Sequence, residues 1–170
     1  MEIVSAAHSF PLRKDLLKRN INASHHMKIA STIAGALLGL VFVAFGSMVL
    51  FNLAPPPPPF PEGSPGAHFM AAFAMTGYLK FVKLFEVIGG LLVAIPKTRR
   101  AGLLVLGPIL VNILAFHLFI TAGNGLFSPI LVAIVVLTLF LVWVERAAFA
   151  AFLCPRSNVS STSTTRNFSP

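Results

Sequence analysis

Lys83 and Glu86 lie inside a run of otherwise apolar residues long enough to cross a bilayer. Insertion scales put the cost of each such charge at about 2.5–3.5 kcal/mol, so intramembrane charge marks a functional candidate by default. Three residues apart on a helix, the two share a face and can pair. Asn112 sits in the middle of the next apolar run and His117 near its end. If the basic turn Pro96-Lys97-Thr98-Arg99-Arg100 makes these two runs an antiparallel hairpin pivoting near residue 99, Glu86 falls level with Asn112, and Phe81 with His117. At 1.5 Å per residue, Glu86 then stands roughly 14 Å from Ile95, near the middle of a bilayer core. The expectation is a mid-depth polar cluster of Lys83, Glu86 and Asn112. Its chemistry would be to hold a proton, a ring carbonyl or a small solute. The alternative is an ion pair and an amide that only join two helices.

Other polar residues carry weaker signals. Lys80 reads as a side chain that snorkels to the interface. His68 and His117 lie near one membrane surface, but two histidines without a third ligand do not specify a metal site, and no metal is expected. A helix-end hydrogen bond suits them better. His25-His26 lies in the polar N-terminal segment. The single cysteine, Cys154, excludes an intramolecular disulfide and a CxxC redox pair. The chain shows no catalytic motif of its own.

The elements that must position these residues follow from composition. The chain has 170 residues, 56% hydrophobic and 11% charged, with a mean hydropathy of +0.84. A soluble domain carries roughly 25% charged residues, so the apolar excess here must face lipid. Four apolar stretches predict an all-α, four-transmembrane-helix bundle over residues 29–153, with spans at about 29–53, 68–95, 101–120 and 126–146. Span one is longer than a signal-peptide core and its exit lacks a small-x-small cleavage pattern, so it reads as a retained helix. Pro55 to Pro59 form a stiff connector after it. Pro108 should kink span three, and Ser128-Pro129 reads as an N-cap and first turn for span four. Residues 1–28 read as a disordered basic extension and residues 154–170 as a disordered Ser/Thr-rich tail.

The net charge of +8 does not point to nucleic acid, because of where the charges fall. Five Lys and Arg precede span one, three occupy the turn after span two and three follow span four, while the loops 54–67 and 121–125 hold none. With four spans all three basic regions share one side. The positive-inside rule makes that side the cytoplasm and puts both termini there, in a cell (inner or plasma) membrane.

Glycines mark where helices could approach closely. Gly35, Gly39 and Gly46, with Ser31 and Phe42, form one narrow stripe on span one. Gly89, Gly90 and Gly102 could do the same around the basic turn. Packing inside the bundle is the simpler use, and a homo-oligomer interface the other.

From span one to span four the order of features resembles the DoxX family of small membrane proteins. The likeness covers about residues 27–150. It rests on Met27-Lys28-Ile29-Ala30, on Gly39-Leu40-Val41-Phe42 and on Met75-Thr76-Gly77-Tyr78-Leu79. Most specific are Lys83-x-x-Glu86-Val87-x-Gly89-Gly90-Leu91-Leu92 and Pro108-x-x-Val111-Asn112-Ile113-Leu114-x-Phe116-His117-Leu118. The resemblance implies a four-helix membrane protein with Lys83, Glu86, Asn112 and His117 as its polar positions. Some relatives are similar to a subunit of a thiosulfate–quinone oxidoreductase, and others look like partners in membrane-associated oxidative-stress complexes. A redox role here would run through quinone or a partner subunit. Two further readings stand beside it: a small oligomeric transporter using Glu86 as a proton-linked switch, and a structural bundle that docks a partner.

Met27-Lys28 stands immediately before the first apolar run, so Met27 is expected to serve as the actual or an alternative start. Mass spectrometry of the native N-terminus should find a product beginning at Met27; one carrying only intact residues 1–26 would refute this.

Overall fold

The computed structural model describes residues 3–53, 55 and 59–153. All regular structure among them is helical. In chain order the helices are α1 (Ile3–Leu50), α2 (Pro65–Met75), α3 (Tyr78–Ala94), α4 (Arg99–Ala115), a π-helical turn (Phe116–Ile120) and α5 (Pro129–Leu153). Three segments are long and apolar enough to cross a membrane: Ile21–Leu50, Arg99–Ile120 and Pro129–Ala151. Most of each is exposed, with large side chains such as Leu40, Val111 and Leu139 pointing outward. An apolar exterior of this kind is that of a helical membrane protein.

The sequence reading is corrected in three places. Residues 68–95 do not form one helix. Gly77 takes φ +74, the left-handed region that glycine enters without steric cost, and the chain breaks between α2 and α3. Thr76 Oγ1 donates to the Ala72 carbonyl at 2.7 Å and helps close the end of α2. The two pieces, of 11 and 17 residues, start at Pro65, where Ser64 caps the Ala67 N–H. Second, the basic extension over 1–28 is not separate from span one: the helix continues back to Ile3. At 1.5 Å per residue it reaches about 40 Å beyond Ser31, the first buried residue described. Third, α5 runs to Leu153, past the expected end at 146. The tail 154–170 and most of the proline run lie outside the described residues.

The four long elements alternate in direction, and glycines set their spacing. A Cβ placed on Gly39 would collide with the Gly90 carbonyl, and one on Gly90 would stand 2.9 Å from the Gly39 carbonyl. Backbone therefore meets backbone where α1 crosses α3. Along the same face Gly35 lies against Val93, and Gly46 against Val87 and the Lys83 carbonyl. The stripe of small residues on α1 is thus covered by α3. On the other side of α3, Gly89 meets Leu106 of α4, and Gly102 meets Val93. The core formed between these helices is Leu38, Phe42, Val93, Leu103, Leu106 and Leu141.

One end of the bundle is tied by charge. Thr98 Oγ1 donates to the Leu92 carbonyl at 2.9 Å and tightens the basic turn. Arg100 Nε donates to Glu145 Oε2 at 2.8 Å, and Arg99 Nη1 stands 3.7 Å from Glu145 Oε1. Arg99 is only 3% exposed, and its guanidinium occupies the space beside Gly35, where a Cβ would lie 3.0 Å from Nε. The α3–α4 turn, the far end of α5 and residue 35 of α1 therefore share one level. Beside them Arg146 lies 4.3 Å over the Trp143 ring.

Substituting Gly39 by Val should lower the stability of the protein in detergent by about 1–3 kcal/mol, the range for overpacking. Gly107→Ala, where the added carbon meets open space, should stay within about 0.5 kcal/mol. Thermal unfolding of both variants checks this; equal melting points would remove the α1–α3 crossing as the determinant of packing.

Candidate functional site

α3 carries both charged residues of the site. Lys83 Nζ donates to both carboxylate oxygens of Glu86 at 2.8 Å, which is the i, i+3 pairing expected of a helix. Glu86 is buried, at 3% exposure, and Lys83 is partly covered. The burial comes from α1. Gly46 lets the α3 backbone approach at Lys83 and Val87, and Phe42, itself buried, stands beside the carboxylate in the wall of a cleft. A bare carboxylate there would be costly, and the Lys83 ammonium offsets much of that cost.

The cleft has a volume of about 310 Å³. Lys83 and Glu86 form its polar wall, Phe42 and Phe45 come from α1, and Leu131 and Ile134 from α5. His117, in the π-helical turn, closes the remaining side with Ile113. Phe45 and Ile130 at the rim are 47% and 53% exposed, so the cleft opens sideways onto the apolar exterior. Its size and make-up, apolar walls with a few convergent polar groups, are those of a small-ligand site.

His117 is held by its own helix. Its Nδ1 lies 2.8 Å from the Ile113 carbonyl. A carbonyl only accepts, so Nδ1 carries the hydrogen and Nε2 is left free to accept or bind a proton. The π-helical turn places it there: the Thr121 N–H reaches back five residues to the Phe116 carbonyl at 3.1 Å. Such turns are rare and recur at functional sites.

Asn112 does not join the pair. The meetings of Gly89 with Leu106 and of Val93 with Gly102 are both centred between Lys97 and Thr98, so Glu86 stands level with Ile109 rather than with Asn112. The turn is tighter than the pivot near residue 99 assumed, because α4 already begins at Arg99. Asn112 is exposed on the outer face of α4. The residues brought together are Lys83, Glu86 and His117. His68 is exposed and lines neither the cleft nor the chamber described next, and Lys80 is exposed on α3.

Two features escaped sequence reasoning. One is the Arg99–Arg100–Glu145 tie; its signal was an acidic residue, Glu145, beside an otherwise basic membrane edge. The other is a second cavity of about 480 Å³ at the opposite end of the bundle, between Phe60, Gly66, Phe116, Thr121 and Asn124, with His117 in its wall. An aromatic series runs from it along the α2–α3 break, from Phe116 to Phe69 at 5.1 Å, Phe69 to Phe73 at 5.0 Å, and Phe73 to Tyr78 at 4.9 Å.

Comparison with known proteins gives one relative of note. The chain is 32% identical over 92 residues to the uncharacterized protein YwoB of Bacillus subtilis (strain 168). The match spans 52% of this chain and 58% of that protein's length. No family model matches the chain, and no solved structure does.

Lys83→Met leaves the Glu86 carboxylate buried without its partner and should cost about 3 kcal/mol, the lower end for a broken buried pair, since Lys83 is partly exposed. The double variant Lys83→Met with Glu86→Gln should recover most of that loss. Denaturation in a fixed lipid nanodisc measures both; a Lys83→Met protein as stable as wild type would show that the pair contributes nothing.

Proposed function

We propose that the chain is a DoxX-like, four-span protein of the cell membrane with both termini cytoplasmic, in which α2 and α3 together make the second crossing. We further propose that it acts as a quinone-linked, accessory component of a membrane redox or oxidative-stress system. The charge tie supports the orientation: the basic turn and the end of α5 meet at one level, the side on which all basic regions fall by the positive-inside rule.

The observation that carries the ligand reading is a buried ion pair in the wall of a cleft that opens toward lipid. The donor set fits a quinone headgroup. Lys83 can donate to a ring carbonyl, Glu86 can accept from a ring hydroxyl, and Phe42, Phe45 and Ile134 offer apolar walls to the ring. A volume near 310 Å³ holds a headgroup and leaves an isoprenoid tail in the bilayer. When bound, a quinone supplies two-electron, two-proton chemistry. The residues of this chain bind it, orient its carbonyls and exclude bulk water. With no redox motif in the sequence, electrons must come from or go to a partner subunit.

A small oligomeric transporter is the second reading. It is favoured by the chamber on the far side of His117, a second cavity that shares this residue with the cleft.

Protein purified in native lipid should carry quinone in near-stoichiometric amount, and Glu86→Gln should lose most of it while staying folded. Extraction and chromatography of the lipid fraction measure this. Quinone absent from both proteins would eliminate the ligand and leave solute flux as the reading to pursue.

A further inference from the structure

His117 is the side chain common to both cavities. It lines the cleft with Lys83 and Glu86 on one side, and the outer chamber with Thr121 and Asn124 on the other. The Nε2 edge of its ring faces Gly125, a chamber residue, on which a Cβ would stand 3.2 Å from Nε2 and 3.0 Å from Cδ2. Gly125 takes φ +80, where glycine is favoured, and having no side chain it can lie beside that edge of the imidazole. Imidazole is the side chain that binds and releases protons in the neutral range.

We propose that His117 carries protons between the outer chamber and Glu86, so that the state of the Lys83–Glu86 pair follows the pH of the side on which the 54–67 and 121–125 loops lie. The proposal rests on the cleft being the functional site, but not on the identity of its ligand. The step moves one proton and no electrons. Nε2 takes a proton from a hydronium ion in the chamber, leaving a water molecule. The Nδ1–H bond to Ile113 lets go, and the ring turns into the cleft. The Nε2–H bond then breaks as Glu86 gains the proton, and the neutral imidazole returns to Ile113. Glu86 becomes a neutral acid, and its pairing with Lys83 weakens from an ion pair to a single hydrogen bond.

The electrostatic surroundings are simple. Facing His117, α3 contributes Lys83 and Glu86, while the cleft and chamber residues from α1, from α2 and the loop before it, from the 121–125 turn and from α5 carry no titratable side chain. Glu86 faces Lys83 on its own helix and His117 across the cleft, with apolar residues from α1 and α5. Among the described residues, His117 is the one that lines both spaces.

The test is a pH jump on oriented proteoliposomes followed by infrared difference spectroscopy, with the Glu86 carboxyl band identified by its loss in Glu86→Gln. In wild type the band should respond quickly to a jump on the loop side and slowly to one on the basic side. His117→Asn, whose amide N–H stands at the Nδ1 position for the Ile113 carbonyl, should reach the same final amplitude on the order of a hundredfold more slowly. His117→Ala should be equally slow and recover speed when imidazole is added, a rescue that a purely structural histidine would not show. An unchanged rate in His117→Asn, no rescue by imidazole, or no titrating Glu86 band in wild type would each overturn the proposal. Quinone content of the same preparations reports separately: proton transfer intact in a protein without quinone refutes the ligand and leaves the carrier standing.

Discussion

The crossing of α1 and α3 at Gly39 and Gly90 brings two helix backbones closer than any side chain would allow. Apolar helices in lipid gain little by hiding apolar surface from one another, so association depends on close van der Waals packing and on polar contacts. Gly35, Gly39 and Gly46 on α1 and Gly90 on α3 supply that packing. The crossing also fixes the depth of Glu86. Gly46 lies against the Lys83 carbonyl and Val87, and Glu86 is left 3% exposed, in the wall of the cleft it shares with Phe42.

Burying that carboxylate is costly, and the Lys83 ammonium makes it tolerable without making the pair a source of stability. A buried ion pair can often be replaced by apolar residues with little loss. This pair lines an open cleft that a histidine in a π-helical turn also lines, and the proposed ligand role rests on that placement. The tie at the other end differs. Arg99 is buried against Gly35, with Nε and Nη2 lacking a hydrogen-bond partner among the described residues, and Glu145 serves both it and Arg100. No described cavity opens there, and the arrangement reads as a fastening of turn, α1 and α5.

The break at Gly77 separates a short α2 from the helix bearing the ion pair. It lets α2 and the loop before it fold over the end of α4, where Phe60 and Phe69 pack against Phe116. These contacts roof the outer chamber and set His117 between two spaces. A straight helix over residues 68–95 would have carried α2 away from Phe116 and left no chamber.

Much of this was legible in the chain. Apolar runs of membrane length, the clustering of Lys and Arg, the i, i+3 relation of Lys83 to Glu86 and the glycine stripe on α1 are local properties, and local properties survive in a linear string. The helical state of the basic leader was missed because few apolar residues mark it, and the break at Gly77 because hydropathy is blind to a single positive φ. Asn112 was misplaced by a small error in the hairpin pivot: at about 100° per residue, three residues of register turn a side chain most of the way round a helix. The sequence by itself determined which residues are polar in an apolar setting, and that Lys83 and Glu86 share a face. Only the tertiary structure decided which helices bury them, that His117 and not Asn112 meets them, and that a second chamber reaches the same histidine. Those outcomes depend on interhelical distance and register, set by backbone contacts between glycines far apart in the chain.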